Sequence, residues 1–577
     1  MDNKKQLMVM VLCGMASIAQ AGEKEELLKL RNTTTNLIKE LVKQGVLSEK
    51  AAEDMIKRAE ADAEAQVAQQ ANEAGQNEIA PEPGEVRVPY VPEFVKDEIR
   101  QQVRTELRAD VVKDVMQEAK TQKWGVPDAL PEWISRFKLS GDLRLRSQND
   151  FMADDNISGP NVYSEYPNIQ AINQAGGLNK VGELHRGVNT ENDRHRFRER
   201  LRISLDAKVA DGLNAGVRLI TSNLIDPVST NQTLGNSSGQ YQFNIDRAFL
   251  KYDAVNNKGF KWLTVSGGRI ANPWYVGGGE FTGGSELVWD TDLSFEGFAV
   301  TARHSLDSYN KNTRDISKSA PHSVFITAGA FPLQESALSS KDKWLFGSQI
   351  GLDWGFDNHD ALKMGVAYYD YENIKAKPNT SSASQFVCST NNAENSLSVP
   401  QFMQLGNTLA LICNEDATTP GQYGLAGDYK IVNVSGSYDL SIFAPHHLIL
   451  GADYAKNVGF SVNDAEKTRF LTPGTRPISD ETQAWQVRVD FGWPKVSHAG
   501  EWSVFTFYKY VERDAVLDAN TDSDFHLGGT NAKGWVLGAN YGLMKNVWAT
   551  GRWLSTDVIS GPKYSNDVLQ LDLNTSF

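Results

Sequence analysis

Four arginines at every second position, Arg196, Arg198, Arg200 and Arg202, form the densest run of chemistry in the chain. A spacing of two places side chains on one face of a β-strand, whereas a helix would scatter them. The alternate positions Phe197, Leu201, Ile203, Leu205, Ala207 and Val209 are apolar, with Glu199 out of place near one end. The segment is therefore a two-faced strand, cationic on one side and apolar on the other. Guanidinium groups stay charged and bind carboxylates and phosphates. A row of them attracts anions. Arg144 and Arg146 repeat the spacing upstream, and Arg218, Arg247 and Lys251 extend the basic set downstream. Opposing charge is available from Glu280, Glu286, Asp290 and Asp292, interleaved with Gly277-Gly278-Gly279, Gly283-Gly284 and Trp289.

An arginine facing lipid at mid-membrane costs about 2–4 kcal/mol, so if this strand crosses a membrane its arginines face inward. A basic half-wall inside a barrel makes electrostatic sense when water fills the lumen. One reading of the arginines is a pore lining that selects anions; the other is an ion-pair lining with no selective role. The glycine-rich acidic segment is either a loop folded into the lumen, setting up a transverse field, or an ordinary solvated external loop. Other chemistry is sparse. Asp150, Asp154, Asp155 and Asn156 lack the spacing of a calcium loop. The nine histidines show no paired metal spacing, and no nucleophile elbow, P-loop or HExxH is present. We expect no enzyme, no metal and no cofactor. The 58 basic and 72 acidic residues give a net charge of −14, which argues against nucleic acid as a partner.

The elements that would position these groups are strands. From Phe137 to the end the hydrophobic period is two, with about sixteen candidates centred near 142, 203, 217, 248, 265, 299, 327, 349, 367, 434, 451, 487, 507, 539, 551 and 572. Tight turns fall after even-numbered strands: Asp211-Gly212, Asn256-Asn257-Lys258-Gly259, Asp357-Asn358-His359-Asp360 and Leu543-Met544-Lys545. Long polar segments fall after odd-numbered ones, at 149–194, 222–240, 373–428, 457–480 and 513–532. The connection near 305–321 is longer than this pattern wants. Short turns at one end and long loops at the other describe an outer-membrane barrel, turns periplasmic and loops outside. The strand Val568–Phe577 fits, with Leu569, Leu571, Leu573, Thr575 and Phe577 on one face and Gln570, Asp572, Asn574 and Ser576 on the other. The expected fold is an all-β transmembrane barrel of about sixteen antiparallel strands (137–577) behind an α-helical, partly coiled-coil periplasmic segment.

Upstream, residues 1–21 read as a signal peptide: Lys4 and Lys5, an apolar stretch from Leu7 to Ile18, then Ala19-Gln20-Ala21. Residues 22–80 are helical in pattern, with Leu27, Leu30, Thr34, Leu37 and Leu41 on a short coiled-coil seam. Residues 81–136 combine a proline-rich linker with an amphipathic helix carrying Val95, Ile99, Val103 and Leu107. This region is either a solvated periplasmic spacer or an oligomerising stalk. Cys388 and Cys413 are most simply one loop disulfide after export, with two free thiols as the alternative.

Several stretches together resemble the porin-5 family of Gram-negative porins. They are Val88-Pro89-Tyr90-Val91-Pro92-Glu93-Phe94-Val95-Lys96, Leu139-Ser140-Gly141-Asp142-Leu143-Arg144-Leu145-Arg146, Gly268-Arg269-Ile270-Ala271-Asn272-Pro273-Trp274, Leu287-Val288-Trp289-Asp290-Thr291-Asp292 and Ala328-Gly329-Ala330-Phe331-Pro332. The resemblance covers roughly residues 85 to 577 and implies an outer-membrane barrel with passive diffusion; it carries over no binding residues. We expect a porin embedded in outer-membrane lipid, passing small hydrophilic solutes and favouring anions, with a homotrimer compatible with a barrel of this size. The competing expectation is a structural or adhesive protein that contacts the cell wall through its N-terminal helices.

Overall fold

The computed structural model describes residues 132–577 except 223–225, 258, 280, 282–283, 308–321, 338–339, 378–396, 413–420 and 469–476. The expected signal peptide, the helical segment 22–80 and the linker and helix as far as residue 131 lie outside the described residues, as do Glu280, Cys388 and Cys413.

From Phe137 the chain forms sixteen long strands: β1 (Phe137–Met152), β2 (Arg194–Ala210), β3 (Leu213–Thr221), β4 (Phe243–Val255), β5 (Lys261–Ala271), β6 (Ser294–Ser305), β7 (His322–Gln334), β8 (Lys343–Gly355), β9 (Ala361–Glu372), β10 (Lys430–Leu440), β11 (His447–Asn457), β12 (Gln483–Gly492), β13 (Trp502–Val511), β14 (Ala532–Met544), β15 (Val547–Val558) and β16 (Ser565–Ser576). Every neighbouring pair is antiparallel. β1 also pairs with β16, from Asp142 opposite Ser576 to Met152 opposite Asn566. The sheet is therefore a closed barrel without a free edge.

All sixteen expected strand centres fall inside these strands. Two boundaries differ. β1 continues six residues past Arg146, because Gln148 and Asp150 keep the inward alternation and stay buried while paired to β2 and β16. Leu543 and Met544 belong to β14, and the turn falls at Lys545-Asn546, where Asn546 adopts the left-handed backbone (φ 60°) that asparagine tolerates.

Burial is inverted relative to a soluble sandwich. Ile350 on β8 is 61% exposed while Gln349 beside it is 1% exposed, and Phe197 at 68% contrasts with Gln570 at 0%. Apolar side chains point out and polar ones in, on strand after strand. No helix among the described residues is long and apolar enough to cross a membrane. The strands supply the apolar band instead.

The long connections are not simply polar. Ile169 and Ile172 of segment 153–193, Leu287 and Trp289 of 272–293, Met403, Leu425 and Tyr429 of 373–429, and Val516 and Leu517 of 512–531 share one hydrophobic core. That core continues onto the inward Phe331, Leu345, Tyr369 and Ile431 of β7, β8, β9 and β10. The helix Ile169–Ala175 within it is capped by the Asn168 side chain, which accepts from the Ala171 N–H (3.2 Å), and ends at Gly176 (φ 84°). Segments 373–429 and 512–531 meet at Gly406 and Gly529, where a Cβ on Gly529 would collide with the Leu405 carbonyl. The loops thus fold over one end of the barrel as a packed cap.

Val366 sits midway along β9 and points outward. Replacing it with arginine should destabilise the barrel by about 2–4 kcal/mol in denaturant unfolding from lipid vesicles. Unchanged stability would contradict its placement on the lipid face.

Candidate functional site

The β1–β2 ladder sets the wall of the lumen. Asp142 lies opposite Arg202, Arg144 opposite Arg200, Arg146 opposite Arg198 and Gln148 opposite Arg196. Like charges directly opposite each other destabilise a sheet, so this wall requires counterions, and they come from three directions. Asp142, on β1 itself, pairs with Arg200 (3.0 Å) and Arg202 (2.8 Å), and Asp150 pairs with Arg196 (2.9 Å). Asp572 on β16 holds Arg146 through two bonds of 2.8 and 2.9 Å. The remaining carboxylates are on loops: Asp524 reaches Arg146 (2.9 Å) and Arg552 of β15, while Asp292 reaches Arg200 (3.5 Å) and Arg202 (3.3 Å).

Arg144 and Arg198 are different. Among the described residues neither makes an ion pair: Arg144 donates to the Asn231 side-chain oxygen, and Arg198 donates to Gln148 (3.1 Å) and Ser229 (3.2 Å). Among the described residues the buried Nε atoms of Arg144, Arg196, Arg198 and Arg200 find no hydrogen-bond partner. Further round the barrel, Asp246 sits at a register shift between β3 and β4 and takes both Arg218 and Arg247 (3.8 Å), while Ser294 donates to it (3.0 Å). Lys251 lies toward the turn end of β4, 3.9 Å from Asp253, which Lys261 also approaches.

Segment 272–293 crosses the lumen to the opposite wall. The Tyr275 N–H donates to the Gln349 amide oxygen (2.8 Å) and the Gln349 amide donates back to the Tyr275 carbonyl (2.9 Å), tying the loop to β8. Arg488 on β12 donates to the Gly284 carbonyl (2.9 Å), Ser285 donates to Asp453 on β11 (2.5 Å), and Lys509 on β13 donates to the Glu286 carbonyl (3.2 Å). The glycines have a steric reason: Gly278 (φ 80°) lies against Gly451 of β11, and a Cβ there would meet the Gly278 Cα at 3.1 Å. Across the segment Trp289 packs edge-on against Tyr369 and Phe295, anchoring Asp290 and Asp292 on either side of Thr291.

Beside the crossing segment lies a cavity of about 600 Å³ in the barrel interior. Four residues of the arginine wall line it, Arg144, Arg146, Arg200 and Arg202, together with Glu286, Asp290 and Asp292 of the crossing loop. Arg196, Arg198, Arg218, Arg247 and Lys251 do not border it. Parity reasoning overlooked Arg303, Lys363 and Arg552, single inward basic residues on β6, β9 and β15, and with them the inward Asp353 of β8. It also overlooks Asp522 and Asp524, since the segment 513–532, expected as an external loop, turns inward. The lining therefore holds seven basic residues (Arg144, Arg146, Arg200, Arg202, Arg303, Lys363, Arg552) and seven acidic ones (Glu286, Asp290, Asp292, Asp353, Asp522, Asp524, Asp572).

The loop carboxyls divide into two electrostatic groups. Burial pushes Asp292 up, but Arg200, Arg202 and Arg144 outweigh it and hold the carboxyl below its ordinary range. Asp524 is held down in the same way by Arg146 and Arg552 against its burial. Glu286 goes the other way, pushed up to about 7 by burial and by Asp522. Asp290 is also raised, by burial and by Glu286 and Asp292. Oxygens of Glu286, Asp290 and Asp522 lie within 4.8 Å of one another, with the Lys509 ammonium 2.8 Å from Asp522. Glu286, Asp290 and Asp522 thus form an acidic cluster, while Asp292 and Asp524 are matched to arginines.

No curated protein matches the sequence. Among solved structures, the chain is similar to Pseudomonas putida OprB at 12% identity, covering 79% of this chain and 97% of that one with a TM-score of 0.39. It is similar to the outer membrane channel DcaP of Acinetobacter baumannii at 11% identity, 76% and 97% coverage and a TM-score of 0.37. A mutant of the Rh. blastica porin aligns at 11% identity, covering 76% of this chain and all of that one, with a TM-score of 0.34. The family model described as "Putative porin" matches residues 31–577, and the chain belongs to that porin family.

Proposed function

We propose that this outer-membrane barrel is a passive channel for small hydrophilic solutes, with anions favoured. The observation that carries the reading is the charged cavity of about 600 Å³ enclosed by a barrel whose outer surface is apolar. A polar interior of this kind is hydrated and offers solutes a path that the bilayer denies them. The short-turn end then faces the periplasm and the capped loop end faces outside. With seven charges of each sign in the lining, formal charge alone favours neither ion. The anion preference rests on Arg144, which has no carboxylate partner among the described residues, and on Glu286, whose carboxyl is pushed up to about 7 by burial and by Asp522.

We further propose a homotrimer, joined along the outer face of β2–β6. The face of β2–β5 has a groove floored by Ala207, Ala215, Ala248 and Gly267, where small residues allow close approach of a neighbour.

Folded protein should form stable conductance steps in planar bilayers; silent bilayers with material shown to be folded would refute the channel. Lowering the pH from about 8 to about 5 should raise the anion-to-cation permeability ratio read from reversal potentials, because Glu286, its carboxyl pushed up to about 7, loses its charge as it protonates. Glu286→Gln should flatten that pH step, and a step of undiminished size would remove Glu286 from the explanation. Chemical cross-linking in the native membrane should stop at three copies, and Ala248→Trp should abolish the trimer band while the monomer remains folded.

A further inference from the structure

We propose that the barrel holds a second binding site, opening sideways through its wall, that takes a small aromatic amine. The closed sheet is notched at its loop end. The β4–β5 ladder stops at Ala248 opposite Arg269, so residues 243–247 of β4 have no partner on that side. The β6–β7 ladder stops at Phe298 opposite Ala330, so residues 331–334 of β7 pair with β8 alone. Between these two edges the β5–β6 pair leaves both ladders beside Gly268 (φ 107°) and Gly297 (φ 134°), which lie opposite each other. A Cβ on either glycine would collide with a carbonyl of the adjoining strand, that of Ala248 or Ala330. An open strand edge is not tolerated against hydrocarbon unless it is covered or lines a cavity. Here the Arg269 Nε donates to the Asp246 carbonyl (2.6 Å), and a cavity fills the notch.

That cavity, of about 850 Å³, passes through the wall. It borders Phe243 and Ile245 of β4 and Leu333 of β7, which point outward and are exposed, and also Phe295, Phe331 and Leu345, which point inward and are buried. It shares no lining residue with the charged cavity: Trp289 of the crossing segment borders the one, Asp290 and Asp292 the other. The groove proposed for the trimer contact lies on the turn side of the last β4–β5 rung, and this mouth on the loop side. A mostly apolar lining of this size with a few polar groups is the usual make-up of a small-molecule site.

The lining selects the occupant. Trp289, Phe295, Phe331 and Phe402 present aromatic rings to it. Asp518 is fully buried, and among the described residues neither of its carboxyl oxygens has a hydrogen-bond partner. The two cations of the lining are already engaged: Lys343 donates to the Gln334 amide oxygen and to the Leu397 and Val399 carbonyls, and Arg269 pairs with Glu296. Of the four carboxyl groups, Asp246 and Glu296 are paired with arginines, whereas Asp226 and Asp518 make no ion pair among the described residues. An ammonium group meets this imbalance as attraction and a carboxylate meets it as repulsion. Burial and the nearby Asp514 push the Asp518 carboxyl up to about 7, and a bound ammonium would draw it back down.

The test uses the full chain in lipid nanodiscs, with empty nanodiscs as the blank, and a matched pair of probes, phenethylamine and 3-phenylpropionate. We expect the amine to bind about tenfold tighter than the acid. Asp518→Asn should shrink that preference about tenfold. Ile245→Trp, which narrows the mouth from outside the barrel, should slow association of the amine about fivefold. Equal binding of the two probes, or a preference that Asp518→Asn leaves intact, overturns the proposal. So does a cavity held by bilayer lipid that the amine does not displace. An association rate unchanged in Ile245→Trp overturns the sideways mouth.

Discussion

A strand that crosses hydrocarbon must pair every backbone N–H and C=O with another strand, and this requirement decides most of what the molecule is. It forces the sheet to close, with β1 held between β2 and β16. Closure gives each strand one face to lipid and one to the interior, so polar side chains that a soluble protein would display to solvent are gathered inside. The lumen charges are a product of this inversion. Opposed arginines such as Arg144 and Arg200 share a small volume because their strands leave them no other direction to point.

Packing charges together has an energetic consequence. Removing one partner of a buried ion pair typically costs about 3–5 kcal/mol, because it leaves the other charge desolvated and alone. Arg146, with its side chain 1% exposed between Asp524 and Asp572, is such a case. Its guanidinium forks onto Asp572 and also reaches a loop carboxylate, so wall and loop are fixed relative to each other by directional bonds. The crossing segment is pinned at its far side by the amide exchange between Tyr275 and Gln349 and by Arg488. These contacts, rather than the barrel alone, hold the crossing segment in place.

How much of this was legible in the sequence depends on periodicity. Strand positions and arginine orientation follow a two-residue alternation that local sequence displays directly, and the extension of β1 through Gln148 and Asp150 obeys the same rule. Single inward residues such as Lys363 and Arg552 obey it too, but one charge per strand makes no visible pattern. Loop carboxylates carry no period at all. Asp524 meets Arg146 across 378 positions of sequence, and nothing near either residue announces the other. The cap was hidden for a related reason: Ile169, Trp289, Met403 and Leu517 are scattered along the chain and form a core only when four loops meet. The helices expected upstream of residue 132 and the two cysteines lie outside the described residues.

The position of Asp572 gives the seam a second role. Arg146 enters the barrel on its opening strand, yet one of its counterions is on the strand that completes the ring. A ring shut early, with some other strand in the place of β16, would leave that guanidinium facing whatever residue happened to be there. The buried charge therefore penalises an incomplete ring, because only β16 in its place beside β1 gives Arg146 the Asp572 carboxylate.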